Sequence, residues 1–265
     1  MPEIESTHRV AAESHRNLSE YLLFRRHRFA YDEVFSRLAL GTVVADVGCG
    51  YGYALEMLAR KARQVYAIDA AETALRSLPD LPNVGKIRAF ADAIPLESES
   101  VDCVVAFQLI EHLPADRLAP TLHEFIRILR PGGRVFVTTP NARWRLFPGQ
   151  QPWNPFHVLE YTAGDLARLC RASLGHDWRL RSVVGRAGAQ AIEIARVAPN
   201  RMQHRPRGLR RRLAKLWTYY GPARVASWRK RGRAAVVDAH RNMDWFEFSD
   251  DPEEGLDLWL EVKKS

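Results

Sequence analysis

Apolar positions along the chain follow two rhythms. Val43-Val44-Ala45-Asp46-Val47, Gln64-Val65-Tyr66-Ala67-Ile68-Asp69, Val101-Asp102-Cys103-Val104-Val105-Ala106-Phe107 and Arg134-Val135-Phe136-Val137-Thr138-Thr139 are short runs rich in β-branched residues. Such runs read as parallel strands buried on both faces. Between them the apolar residues fall at helical spacing. One predicted helix spans about 52–62, a second starts at 71 and stops before Pro79, and Leu118, Leu122, Phe125, Ile126 and Leu129 make the stripe of a third. Further strands are expected at 86–91 and 177–184, and an alternating run at 256–262 reads as the last strand. Leu18, Leu22, Phe29, Val34 and Leu38 predict one or two helices ahead of the first strand. Thr162 is a helix cap with Asp165 in its first turn, for a helix ending near 172. Strands alternating with helices predict an α/β protein with a doubly wound sheet.

The first strand runs into Gly48-Cys49-Gly50-Tyr51-Gly52, a turn where a backbone can approach a ligand closely. The second strand ends in Asp69, 21 positions after Gly48, where a ribose-binding carboxylate belongs in a βαβ nucleotide site. The spacing is G-x-G-x-G rather than the dinucleotide G-x-G-x-x-G, with Tyr53 where the third glycine would fall. Asp46, just ahead of the glycines, would repel a pyrophosphate and suits a ligand with a positive end.

A chain of 265 residues, 46% hydrophobic and 26% charged, is the size and composition of one globular domain. No stretch reaches the length of a membrane span, and the first residues read as polar rather than as a signal segment. Cys49, Cys103 and Cys170 lack metal-ligand spacing and read as buried free thiols of a cytoplasmic protein. No cluster of carboxylates for a metal is evident, so none is expected. The net charge of +8 is local: residues 200–235 hold 12 Lys and Arg and no acid. There Leu209, Leu213, Leu216 and Trp217 fall at helical spacing among arginines. A basic amphipathic helix of this kind suits a solvated lid, an anionic membrane surface or, less well, nucleic acid.

The turn at 46–52, with Asp69, resembles the first motifs of class I S-adenosylmethionine-dependent methyltransferases, whose ligand carries an ammonium and a sulfonium. Asp92-Ala93-Ile94-Pro95-Leu96, Glu111-His112-Leu113, Leu129-Arg130-Pro131-Gly132-Gly133 and Thr139-Pro140-Asn141 extend the resemblance over about 42–141. It implies a Rossmann-like sheet of seven strands, mostly parallel, whose last two strands form an antiparallel edge pair. It also implies S-adenosyl-L-methionine as cofactor and S-adenosyl-L-homocysteine as product. Asp46, Gly48, Gly50 and Gly52 would take the methionine end, Asp69 and Ala70 the ribose, Asp92 and Ala93 the adenine, and Phe107 and Gln108 would offer backbone to the methionine amine. Glu111 would be a supporting or amine-binding residue.

Roughly seventy residues separate the last two strands, so 186–255 reads as a basic helical insertion. The domain organisation expected is a helical lid over 1–40, a core of 41–185 with 256–265, and this insertion as a cap. Trp153-Asn154-Pro155-Phe156-His157, Phe24-Arg25-Arg26-His27 and Gly255-Leu256-Asp257-Leu258-Trp259 resemble a bacterial subgroup that methylates glycan and polysaccharide hydroxyls. A hydroxyl is a poor acid, so its methylation needs a base. His112 and His157 are the candidates. Trp144, Trp153 and Tyr161 are candidates for stacking on sugar C–H faces, and His27 for pointing into the cleft. The alternatives are a small-molecule or quinone-type methyltransferase, an RNA methyltransferase using the basic run, and a cofactor-binding membrane-docking protein without catalysis.

Overall fold

The structure, a computed structural model, describes residues 18–186, 188–204 and 244–265. The basic run read as a helix around Leu209–Trp217, and with it the membrane and nucleic-acid readings, lies outside the described residues.

Among the described residues one helix, α1 (Leu18–Arg37), precedes β1 (Thr42–Val47). The Rossmann-like half continues with α2 (Leu55–Ala59), β2 (Ala62–Asp69), α3 (Glu72–Arg76), β3 (Val84–Arg88) and β4 (Val101–Phe107). A 3-10 turn (Ile110–His112), α4 (Ala115–Ile128), β5 (Leu129–Pro140), α5 (Ala142–Arg145), α6 (Ala163–Ser173) and β6 (Asp177–Gly185) follow. After β6 come α7 (Ala189–Gln203), β7 (Phe246–Ser249) and β8 (Asp257–Lys263). The sheet order is β3-β2-β1-β4-β5-β8-β6-β7. β1 to β5 pair in parallel, and β8 lies antiparallel between β5 and β6. The strand order reverses between β1 and β4, and ligands bind outside the carboxyl ends of the strands at such a point.

Among the described residues the sheet has eight strands, not seven. β7 adds antiparallel to β6 and takes the edge that β6 was expected to hold. Its signal is four residues, Phe246-Glu247-Phe248-Ser249, inside a stretch read as helical insertion. The pairing is fixed by packing, since the Phe248 ring meets the buried Trp259 of β8 at 4.9 Å. Two other elements differ from the sequence reading. α2 is one and a half turns rather than a helix from 52, because Gly52 is still in the left-handed turn at φ +69°. Pro131-Gly132-Gly133, ahead of the expected strand at 134–139, forms a bulge within β5, which starts at Leu129. Leu129 pairs with Val101 and Arg134 with Cys103, so the β5 side carries the extra residues.

The sheet separates two apolar cores. One holds Phe125, Ile128, Leu166 and Leu258, and the other Val34, Leu55, Leu58 and Trp259. A third cluster joins Tyr21 and Leu22 of α1 to Ala189 of α7, Trp245, Phe246 and Leu256. That cluster holds α1 and α7 side by side above the carboxyl edge of the sheet. α6 begins where expected, with a reciprocal cap: Thr162 Oγ1 accepts from the Asp165 backbone N–H and Asp165 accepts from that of Thr162.

Candidate active site

The glycine turn is built by backbone conformations that other residues resist. Gly48, Gly50 and Gly52 have φ of +73°, +51° and +69°. A Cβ on Gly52 would stand 2.5 Å from Leu78 Cδ2, whereas one on Gly50 would meet nothing within 4 Å. The first glycine is fixed by packing under the turn, the second by the need for open space above it. Asp69 ties the turn to β2: Oδ2 accepts from the Gly50 N–H at 2.9 Å and Oδ1 from the Ala71 N–H at 2.8 Å.

Asp46 lies beneath the turn and is buried. The Tyr31 hydroxyl of α1 donates to its Oδ1 at 3.1 Å, and Oδ2 has no partner. Burial pushes the Asp46 carboxyl up to about 7; the Tyr31 bond opposes this and the charge of Asp69 adds to it. Tyr31, which sequence reasoning missed, is a packed tyrosine on a weakly amphipathic helix, with no signal beyond its helical spacing.

A cavity of about 780 Å³ opens over this turn. Its wall combines α1, the turn, the segment after β4, the 153–157 loop and α7. Of the expected cofactor residues, Gly48, Gly50, Phe107 and Gln108 line it. Gln108 has φ +54°, an uncommon state for a side-chain-bearing residue, held by its N–H on the Thr138 carbonyl at 2.9 Å. Asp46, Gly52, Asp69, Ala70, Asp92 and Ala93 stand behind or beside the wall. Asp92 is ion-paired with Arg117, which lies over the Phe90 ring.

Of the expected acceptor residues, His27, His112, Trp153 and His157 reach the cavity. Trp144 and Tyr161 do not: Trp144 sits on the short helix α5, and Tyr161 is buried beside the sheet with its hydroxyl unpartnered. Trp153 has one face against the Arg145 guanidinium, 4.5 Å from the ring centroid, and donates its Nε1–H to the Arg145 carbonyl.

Glu111, His112 and His157 converge. A potential ligand atom from each lies within 4.8 Å of the other two. His112 Nδ1 is 2.7 Å from the Phe156 carbonyl, which only accepts, so Nδ1 carries the proton and Nε2 the lone pair. His157 Nδ1 is 2.7 Å from Glu160 Oε1, which leaves its lone pair on Nε2 as well. The two rings meet edge to face at 5.0 Å. Glu111 is 1% exposed; Thr139 donates to Oε2 at 2.9 Å and Oε1 is unpartnered. Burial pushes its carboxyl up to about 8 and lowers the His112 imidazole. The backbone carbonyl of Glu111 accepts from Val158 and Leu159, which fastens the 153–159 loop to the end of β4.

Charge behind the α1–α7 wall is arranged as a buried network. Arg26 faces Glu193 of α7 at 3.2 Å and Asp257 of β8 at 3.0 Å. Arg196 donates to Glu193, and Arg145 donates to Glu160 at 2.8 Å. His27 is half-buried beside these cations, and desolvation followed by Arg26 and Arg196 lowers its imidazole to about 3, so it is neutral. The sequence shows Arg26 only as one member of a basic cluster that reads as solvated. Only the fold reveals the two acids that draw it inward.

Residues 45–137 match a family model described as a methyltransferase domain. A protein of Mycobacterium tuberculosis (strain ATCC 25618 / H37Rv), named a probable S-adenosylmethionine-dependent methyltransferase, is 38% identical over 181 residues. That match covers 64% of this chain and 65% of the relative, so the chain spans just under two thirds of the relative's length. A ubiquinone biosynthesis O-methyltransferase of Xanthomonas campestris pv. campestris (strain B100) is 37% identical over 117 residues, covering 42% of this chain and 48% of that one. Among solved structures, an S-adenosylmethionine-dependent methyltransferase from Mesorhizobium loti superposes with TM-score 0.52 at 14% identity, covering 92% of this chain and 98% of that chain. The cyclase SpnF superposes with TM-score 0.55 at 21% identity, over 90% and 80%. These superpositions establish the fold, which supports more than one chemistry. Over residues 45–137 the chain is thus similar to methyltransferase domains, and the relative named for S-adenosylmethionine dependence shares that similarity.

Proposed function

We propose that the chain is an S-adenosylmethionine-dependent O-methyltransferase acting on a sugar hydroxyl of a glycan or glycolipid precursor. The observation that carries the acceptor class is the pairing of polar side chains with aromatic faces in the lining of the cavity beyond the glycine turn. His27, His112, Arg145, Asn154, His157 and Asn200 line it, beside the aromatic faces of Trp153 and Phe156. Polar groups interleaved with aromatic faces suit a ring with hydroxyls on its rim and C–H on its faces.

In this reading the cofactor's methionine end lies over Gly48 and Gly50, with Asp46 acting through its field and Phe107 and Gln108 offering backbone. Asp69 and Ala70 take the ribose, and Asp92 with Ala93 the adenine. Orienting the hydroxyl, the methyl and the sulfur in line can supply ~7–11 kcal/mol. The hydroxyl lies against the Glu111–His112–His157 cluster. Either histidine can take its proton on Nε2, a step worth ~10²–10⁴ in rate. His157 is the better oriented of the two, because Glu160 both fixes its tautomer and faces the imidazolium that forms. α1 and the 186–255 segment outside β7 act as lid and cap over a core of 41–185 with β7 and 256–265, and the protein works in the cytoplasm, with 200–235 as the segment proposed to contact the membrane surface.

Transfer of labelled methyl from S-adenosylmethionine tests the reading. Uronic-acid and neutral oligosaccharide acceptors should be labelled, and quinol precursors and RNA should not. A second reading, methylation of a quinone-type or other small molecule, is compatible with the ubiquinone biosynthesis O-methyltransferase named among the relatives. It requires the label in the quinol precursor instead. A purely cofactor-binding role requires S-adenosylhomocysteine binding with no labelled acceptor and no effect of alanine at both histidines.

A further inference from the structure

We infer that Glu111, His112 and His157 form a binding site for a divalent transition cation that holds the acceptor's hydroxyl. The inference rests on the reading above and replaces its histidine base with a Lewis acid. Three observations lead to it. First, one potential ligand atom from each residue lies within 4.8 Å of the others. Ligands at about 2.1 Å from a metal stand about 3–4 Å apart, so small side-chain rotations gather these three. Second, both histidines have Nδ1 held by an oxygen acceptor, the Phe156 carbonyl at 2.7 Å and Glu160 Oε1 at 2.7 Å. Metal-binding histidines are oriented in this way, with the other nitrogen left as an unprotonated donor. Third, Glu111 Oε1 is a buried carboxyl oxygen with no partner, on a side chain that Thr139 fixes through Oε2, and a bound cation would take the place of the carboxyl proton. A buried acceptor with nothing to accept from is rare, and a cation satisfies it.

Two imidazoles and one carboxylate suit a first-row transition ion better than magnesium, whose ligands are oxygens. Such a set leaves positions open, and all three residues line the cavity, so those positions face it. The acceptor's hydroxyl oxygen coordinates there and is acidified, and its proton passes to water. The oxygen then bonds to the methyl carbon as the carbon–sulfur bond breaks. The sulfur keeps the electron pair, which yields the methyl ether and S-adenosylhomocysteine. Glu160 and the Phe156 carbonyl are positioning groups for the two ligands.

The test uses the full untagged chain, stripped with a chelator and dialysed. Co²⁺ is titrated in, followed by calorimetry, by visible absorption and by proton NMR. Binding of one Co²⁺ per chain is expected, with paramagnetically shifted ring N–H signals from two histidines. Affinity should fall at least tenfold in Glu111→Gln and in His157→Asn. S-adenosylhomocysteine binding, read on the same samples, should persist in the natural chain and in His157→Asn. Absence of Co²⁺ and Mn²⁺ binding in a chain that binds S-adenosylhomocysteine overturns the metal and leaves the histidine base. Absence of both overturns the metal and the cofactor reading together. Co²⁺ bound with unchanged affinity by both variants, or without shifted histidine signals, places the ion elsewhere and overturns the site.

Discussion

Binding of the cofactor should expel a proton from Asp46. Its carboxyl is buried beneath the glycine turn and raised to about 7, so at pH 6 it is ~90% protonated. A ligand whose ammonium lies over the turn stabilises the ionised form. Affinity for S-adenosylhomocysteine should therefore rise with pH by up to about tenfold per unit below 7 and level off above about 8. Calorimetric titration in two buffers of different ionisation enthalpy counts the protons directly: about 0.9 released at pH 6 and about 0.5 at pH 7. 5′-Methylthioadenosine, which lacks the amino-acid end, should release none. The same group shapes stability. Its folded value lies above the ordinary 3.8, so the folded state holds the proton more tightly. That stabilisation is full below pH 3.8 and is lost as pH rises through about 7. The rise corresponds to an upper bound of roughly 4 kcal/mol. Asp46→Asn should thus unfold at a higher temperature than the natural chain at pH 8 while binding S-adenosylhomocysteine more weakly. Equal proton counts for the two ligands, or an affinity flat from pH 6 to 8, would refute this assignment of Asp46.

Asp69→Ala removes the acceptor for the proposed ribose hydroxyls and unpairs the Gly50 and Ala71 N–H groups. S-adenosylhomocysteine affinity should fall roughly ten- to a hundred-fold by calorimetry, at ~1.5–3 kcal/mol for bonds to a charged group. Gly52→Ala and Gly50→Ala should separate stability from binding. The first drives a Cβ against Leu78 and Leu55 and should lower denaturant stability by ~1–3 kcal/mol beyond the backbone strain. The second has open space, should cost only ~1–2 kcal/mol of left-handed strain, and should weaken the cofactor instead. Arg26→Met leaves Glu193 and Asp257 buried without their shared cation and should destabilise the chain by ~3–5 kcal/mol in urea unfolding.

The legible part of the fold is the part governed by local rules. β4 is found at its expected residues, because a short, valine-rich apolar run that opens after the polar stretch 97–100 reads as a buried strand. The Thr162–Asp165 cap and the three buried cysteines are legible for the same reason. β7 is not, because a four-residue edge strand is made by Phe248 packing on Trp259, a contact between positions 11 residues apart in sequence and joined only through the sheet. The site divides likewise. The glycine turn announces itself, since three alternate positions at positive φ are reached at low cost only by glycine. The convergence of Glu111 and His112 with His157 depends on the Glu111 carbonyl fastening a loop more than forty residues away. Arg26 reads as solvated from composition and is buried in the fold, because its partners come from α7 and β8.

The central claim is the cofactor, and one titration tests it most directly: S-adenosylhomocysteine into the purified full chain by calorimetry, with NADH in parallel. The account predicts one S-adenosylhomocysteine bound per chain with micromolar affinity and no heat from NADH. NADH binding, or no S-adenosylhomocysteine binding at millimolar concentration, would contradict it.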